Sequence, residues 1–200
     1  MKTIFKFLAF AAVALMGLSS CAGSGDNAAE AALANIQARK SVRSYTSEPV
    51  APEQVEILLK AAMAAPTAMN VQPWSFVVLD SREALDALSD ALPYAKMLKQ
   101  APLAIIVCGE TMMGEGRENP FWEQDCSAAT QNLLLAAEAI GLGAVWTAAY
   151  PDLNRCNGIK EALGMPETVM PLCVVPVGHP AGDDKPKDKW KPEKIHYGRW

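Results

Sequence analysis

The sequence predicts a single domain in which helices and strands alternate, of the α+β or α/β class, and three observations carry that reading. Half of the residues are apolar, a fifth are charged and the net charge is −4, the balance of a folded, mildly acidic protein with no sign of nucleic-acid binding. Stretches with apolar residues at helical spacing alternate with about four short, continuous apolar runs, which read as buried strands. No linker-like composition and no internal repeat interrupts them, so one core is expected.

Taken in order, Ala28 to Lys40 can form a helix, and Ala51-Pro52-Glu53 opens a second. In that second helix Leu58, Leu59, Ala62, Met63 and Ala65 recur at helical spacing, with proline early and Glu53 and Glu56 in the first turns. Pro66 and Thr67 stop it, Asn70 to Pro73 hold a polar turn, and Trp74 to Leu79 reads as a strand. Ser81 to Leu92 is a helix with Asp80 as the expected N-cap and Glu83 three residues on. Leu103 to Cys108 is a strand, Gly109 to Asn119 a polar loop, and Phe121 to Ile140 a long apolar helix closed by Gly141. Ala144 to Ala149 is a strand, Asp152 to Leu163 a helix and Val169 to Val177 the last strand. The tail from Asp183 to Trp200, rich in Lys and Trp, has little periodicity and suits wrapping a surface better than standing alone.

The first residues read as an address. Lys2 and Lys6 precede the uncharged apolar stretch Phe7 to Leu18, and Leu18-Ser19-Ser20-Cys21 follows at once, a pattern that resembles bacterial lipoprotein signals. Its implications are removal of residues 1–20, acylation of Cys21 and a lipid-anchored chain in the bacterial cell envelope, facing the periplasm or the exterior. The alternatives are an ordinary secretory signal or a short membrane anchor, although the apolar stretch is shorter than the roughly 20 residues a spanning helix needs. Residues 21–33 then serve as a flexible tether and the start of the first helix, and residues 34–200 as the folded domain.

Several chemistries lose their support by elimination. No metal site is expected: no C-x-x-C or zinc spacing exists, and His179 and His196 lack ligand-like neighbours. Cys108, Cys126, Cys156 and Cys173 read as buried unpaired thiols, with disulfide pairing the alternative. There is no phosphate-binding G-x-x-x-x-G-K-[ST] loop and no G-x-S-x-G elbow. Gly141-Leu142-Gly143 follows a helix and precedes a strand, the reverse of a dinucleotide-binding turn. No acid–base dyad stands out. What does is "ARKSVRSY": Arg39 and Arg43 are four apart, placing their guanidinium groups on one face of a helical turn with Ser41 between them. Planar forks and a hydroxyl suit a phosphate; a solvated basic helix end is the plainer alternative.

With these segments together, the chain resembles the nitroreductase-like flavoproteins. The residues that carry the likeness are Arg39-Lys40-Ser41-Val42-Arg43, the run from Ala65-Pro66-Thr67 through Asn70 and Gln72 to Trp74, and the stretches "QNLLLAAEAIGLGAVW" and "ALGMPETVMPLCVVPVGHP". They span about Ala34 to Trp200. The resemblance implies an α+β three-layer sandwich: a mixed, mostly antiparallel sheet flanked by helices, with FMN at a homodimer interface.

It further implies that Arg39 and Ser41 hold the FMN phosphate, that Lys40 lies against the same group or the ribityl chain, and that Arg43 reaches N1 and O2 of the ring. Pro66, Thr67, Ala68 and Asn70 approach the flavin from the other subunit, with Gln72 bracing their loop; capping of the preceding helix is the structural alternative for both amides. Backbone N–H groups of Thr147, Ala148 and Ala149, after Trp146, meet the flavin N5 edge, although several members carry a glutamate and glycine there. Lys187 and Lys189 stand where relatives carry a phosphate-gripping Lys-x-Arg pair. Asn132 faces either the cofactor or a core amide partner. The loop before the long helix lies over the flavin in the family, so Phe121 and Trp122 are candidates for a wall of the acceptor pocket, or else the first core residues of that helix.

The activity implied is hydride transfer from a reduced donor, usually NAD(P)H, through FMN N5 to a flat electrophile such as a nitroaromatic or quinone. No side chain is required as acid or base. Export conflicts with NAD(P)H as donor, and a lipid-anchored FMN-binding protein without turnover is the alternative from another class. A dehalogenating or ring-cleaving relative is a third.

Overall fold

The computed structural model describes residues 23–200; the expected leader over residues 1–20 and Cys21 lie outside them. Five helices are described: α1 Gly23–Ala38, α2 Pro52–Met63, α3 Arg82–Ala91, α4 Trp122–Ala139 and α5 Leu153–Leu163. The strands are β1 Trp74–Leu79, β2 Leu103–Glu110, β3 Met112–Met113, β4 Arg117–Glu118, β5 Gly143–Ala144, β6 Thr147–Ala148 and β7 Val169–Gly178.

The main sheet has the order β1-β2-β7-β5, with β6 also paired to β7. Every ladder within the described chain is antiparallel, which puts the fold in the α+β class. Helices cover both faces. On one, Leu58 and Ala62 of α2 and Ala129, Leu133 and Ala137 of α4 pack against Leu103, Ile105 and Val107 of β2. On the other, Leu85 and Leu88 of α3 and Cys156 and Ile159 of α5 meet Ala104, Ile106 and Cys108 of the same strand. Successive side chains of a strand point to opposite faces, so β2 is apolar at almost every position because both faces are covered. Full burial of a Leu or Ile such as Leu133 or Ile105 contributes about 1.5–3 kcal/mol each.

Helix ends follow local chemistry. Pro52 opens α2, and Gln54 Oε1 accepts the Ala51 N–H at 3.0 Å. For α3 the N-cap is Ser81, not Asp80: the Ser81 hydroxyl accepts the Ala84 N–H at 3.3 Å, and the helix begins one residue later than an Asp80 cap requires. Asp152 caps α5 by accepting from Asn154 and Arg155 N–H, and Gly164 ends it in the left-handed conformation at φ 62°. Among the described residues no helix is long and apolar enough to cross a membrane.

Three further departures from the sequence expectation have physical causes. The strand expected over Ala144–Ala149 is split into β5 and β6, although both keep one register against β7. In that register Val145 faces Pro176, which has no N–H to give to a ladder. The loop Gly109–Asn119 contains the β3–β4 hairpin, closed at its base by Asn119, whose N–H donates to Thr111 O at 2.8 Å. Finally, α1 begins at Gly23 and stops at Ala38 rather than Lys40. It stops there because the Val42 N–H donates to Ala144 O of β5 at 3.1 Å, which draws the chain out straight. The tail from Ala181 to Trp200 is exposed along its whole length in the single chain.

Candidate functional site: a basic cleft and a strained loop

Residues 39–44 lie outside any helix: after the Arg39 N–H to Asn35 O bond the Val42 N–H donates to Ala144 O, so the helical-turn geometry expected for Arg39 and Arg43 does not hold. Val42 is 1% exposed and packs so closely on β5 that a Cβ at Gly143 would fall 2.6 Å from Val42 Cγ1. Val42 is thus held inward, while Arg39 and Ser41 are half-buried and Arg43 is exposed. Arg43 Nη1 also donates to Ser41 O at 3.4 Å. Lys40 forms a half-buried pair with Glu138 in the last turn of α4, at 2.8 Å, where a cation also suits the helix C-terminus.

The C-terminal tail completes this region. Arg39, Lys40, Ser41 and Arg43 line a cleft of about 380 Å³ together with Asp184, Lys185, Lys187 and Lys189. Two segments more than a hundred residues apart in sequence thus bring guanidinium, ammonium and hydroxyl donors to one cleft, against the single carboxylate of Asp184. Such a donor set fits a phosphate ester, the group by which FMN would be held.

The second region is the turn after α2. Ala64 closes that helix through its own N–H to Lys60 and Ala61 carbonyls, so neither Asn70 nor Gln72 is a helix cap. Thr67 is extended, Ala68–Asn70 form a single 3-10 turn, and Met69, Asn70 and Gln72 have φ of 54°, 55° and 52°. Three non-glycine residues in the left-handed region within four positions are strained. Gln72 braces the turn in two ways: its Nε2 donates to Asn70 Oδ1 at 2.9 Å, and its N–H donates to Thr67 Oγ1 at 3.2 Å. Pro66, Asn70 and Gln72 are exposed.

A residue not foreseen from sequence ties this turn to the core. Asp125 in the first turns of α4 is 5% exposed, and its Oδ1 accepts the Ala68 N–H at 3.0 Å. The signal was available: Asp125 lies on the buried stripe Trp122, Cys126, Ala129 and Leu133, where a carboxylate needs a reason.

The regions lie at opposite ends of α4, for Glu138 holds Lys40 and Asp125 holds Ala68. At 1.5 Å per residue the helix separates these anchors by about 20 Å within one chain.

The remaining candidates divide. Thr147 and Ala148 lie in β6, and Arg155 Nη1 donates to Ala148 O at 3.4 Å. The Ala149 N–H is spent on Leu172 O at 3.0 Å and the residue is buried, so that donor does not face the cleft; Trp146 is half-buried against the α2–α4 core. Phe121 is 43% exposed, whereas Trp122 is 8% exposed and meets Tyr150 edge-on at 4.9 Å. Trp122 therefore packs as one of the first core residues of α4, the alternative given for it, while Phe121 stays exposed. Asn132 donates to Ala61 O at 3.1 Å, a core amide that ties α4 to α2.

Cys108, Cys126, Cys156 and Cys173 are buried, and among the described residues none of them is paired. Burial pushes the thiols of Cys108, Cys126 and Cys173 up to about 12, which keeps them protonated and poor nucleophiles at neutral pH. Among the described residues no group of His, Cys, Asp or Glu could hold a metal ion.

Comparison with known proteins agrees with the fold. The sequence profile described as the Nitroreductase family matches residues 36–93 and 86–179. A protein of Methanothermobacter thermautotrophicus, provisionally named NADH dehydrogenase/NAD(P)H nitroreductase, is 42% identical over 82% of this chain and 85% of its own length. A crystal structure from Bacteroides thetaiotaomicron with the same provisional name is 50% identical, with a TM-score of 0.81 over 85% of this chain and 98% of that one. A Clostridium difficile structure named FMN-dependent nitroreductase is 26% identical, with a TM-score of 0.77 over 84% of this chain and 99% of that one. By sequence and by fold, then, the chain belongs to the Nitroreductase family.

Proposed function

We propose that the protein is an FMN-dependent oxidoreductase that passes hydride from a reduced nicotinamide donor to a flat electrophilic acceptor such as a nitroaromatic or quinone. The observation that carries this is the basic cleft, where residues 39–43 and 185–189 converge in a chain of this family. Arg39, Ser41, Lys187 and Lys189 would take the FMN phosphate, with Lys40 steadied beside them by Glu138. Arg43 would lie against the N1 and O2 edge, where its fixed positive charge favours the electron-rich form. When bound, FMN supplies the two-electron chemistry at N5. The chain supplies position and charge: Asn70 and Gln72 present amides to the polar edge of the ring, Thr147 and Ala148 lie beside the N5 edge, and exposed Phe121 at the base of the β3–β4 hairpin offers a flat face to the acceptor.

Because about 20 Å of α4 separates the cleft from the Thr67–Gln72 turn in one chain, the turn that completes each site would come from a second copy, giving a homodimer with two shared sites. Exposed Leu33 and Ile36 on α1, Met63, Met69 and the aromatic tail residues Trp190, Tyr197 and Trp200 suit burial against that copy. The leader motif ending at Cys21 supports anchoring by lipid in the bacterial cell envelope. A quinol or an exported redox partner would then be the donor if NAD(P)H is out of reach.

The test is to purify residues 22–200 and record the absorbance spectrum and the oxidation of NADH, NADPH and a reduced quinone. A flavin spectrum with donor-dependent reduction of a nitroaromatic or quinone supports the proposal. Bound flavin that no donor reduces would make the protein a flavin carrier, and a colourless protein that does not take up FMN would refute the cofactor.

A further inference from the structure

The Thr67–Gln72 turn keeps its shape with little packing of its own: Met69, Asn70, Val71 and Gln72 are all exposed, Met69 at 72%. Its other hydrogen bonds stay within the turn, running from Asn70, Val71 and Gln72 back to Thr67 and Ala68 or between Gln72 and Asn70. The tie that leaves the turn is the Ala68 N–H to Asp125 Oδ1 bond, which spans 57 positions of sequence. It is made to a buried carboxylate whose second oxygen, Oδ2, is sealed from solvent and has no hydrogen-bond partner among the described residues. Burial of a half-satisfied carboxylate is unfavourable, as is a run of left-handed residues. The two unfavourable features meet at Ala68.

We propose that Asp125 is a positioning residue for the flavin site: from α4 it holds Ala68 so that the strained turn presents Asn70 and Gln72 in fixed directions. The place of Asp125 in the first turns of α4 suits the role, since free N–H groups at a helix start favour a carboxylate. The turn is thereby referenced to the longest helix of the core. This inference rests on the reading of the turn as part of the flavin site, but its first consequence concerns the chain alone. The Ala68 and Gln72 amides should be protected from hydrogen exchange through Asp125 whether or not flavin is present.

The experiment compares the full chain with Asp125→Asn, Asp125→Ala and Ala68→Pro. Asparagine keeps an acceptor of the same shape. Proline removes the same bond from the other end without disturbing the core, at the first position of a 3-10 turn that tolerates it, and so stands in should Asp125→Ala fail to fold. In the flavin-free protein, Asp125→Ala is expected to speed exchange at Ala68 and Gln72, and Ala68→Pro at Gln72, while α2 and α4 stay protected. In the loaded protein each should weaken FMN by about tenfold, the loss expected when the buried bond between the Ala68 N–H and its acceptor is removed, with Asp125→Asn, which keeps an acceptor, within about threefold of wild type. Adding Met69→Gly to Asp125→Ala should recover part of that loss, because glycine adopts φ near 54° without strain. Unchanged exchange in the turn overturns the proposal, and so does an Asp125→Asn variant as weak as Asp125→Ala. Altered exchange in a protein that binds no FMN at all would leave the anchor standing, refute its part in a flavin site and reject the reading it rests on.

Discussion

The basic cleft and the Thr67–Gln72 turn would grip the same cofactor by opposite means. In the cleft no residue from 39 to 44 has a positive φ, Val42 holds the segment to β5, and long cations supply the attraction. In the turn the side chains are short amides and the backbone is strained at Met69, Asn70 and Gln72. Flexible cations tolerate error in position, because a charge acts over several ångströms. Amides that must meet a ring edge do not, so the chain fixes their backbone from a buried carboxylate. Affinity should therefore reside in the first region and orientation in the second.

The largest effect that would break this comparison is at Arg39. Arg39→Ala should weaken FMN by about 1.5–3 kcal/mol, the range for a charge-assisted hydrogen bond, as measured by calorimetry on the reconstituted protein. Because exposed charges are screened by salt, FMN affinity of the wild type should fall from 0.05 to about 0.5 M salt, and Arg39→Ala should flatten that dependence. A loss of affinity at Asn70→Ala larger than at Arg39→Ala would reverse the assignment of roles.

A smaller effect sharpens the other side. Met69→Gly should raise thermal stability by up to about 1 kcal/mol, since glycine relieves the left-handed strain, and should leave the salt dependence of FMN binding untouched. Phe121→Leu keeps bulk but removes the ring face; loss of stacking of about 0.5–1.5 kcal/mol should raise the apparent KM for planar acceptors with FMN content unchanged.

The pH dependence isolates the core from both regions. The thiols of Cys108, Cys126 and Cys173 are raised by burial to about 12, above their ordinary value near 9. The unfolded chain therefore loses these protons before the folded one does. Their stabilising contribution is whole below about pH 9 and is lost as pH rises toward 12, which equilibrium unfolding at successive alkaline pH values would show. The smallest change expected is at the Lys40–Glu138 pair: Glu138→Gln should cost about 1 kcal/mol or less in stability.

The strands and helices were legible in the sequence because both faces of the sheet are covered: β2 and β7 read as apolar runs, and α2 and α4 as stripes. The break between β5 and β6 was not, since it depends on which residue of β7 stands opposite Val145, and register is tertiary information. Arg39 and Ser41 were legible as a cluster, but for the wrong local reason. A spacing of four reads as one helical face, whereas capture of Val42 by Ala144 takes the segment out of the helix. Lys187 and Lys189 could be joined to that cluster only through family likeness, because no local pattern places an aperiodic tail. Asp125 belongs to no motif, and its signal in the sequence is a carboxylate on a buried helical stripe. Trp122 and Phe121 are adjacent and chemically alike, and only the start of α4 decides which of them turns inward.

The central claim is that each site combines the cleft of one chain with the turn of another, and subunit mixing tests it most directly. Arg39→Ala damages the cleft and Asn70→Ala the turn, so each homodimer carries the same defect in both sites. If the sites are shared, a mixed dimer of the two variants contains one doubly damaged site and one with both parts intact. Tandem-tag purification of the mixed dimer should then recover one wild-type site, read as tight FMN binding at half the wild-type stoichiometry. A mixed dimer in which no site binds FMN better than either parent would place cleft and turn of each site on the same chain and contradict the claim.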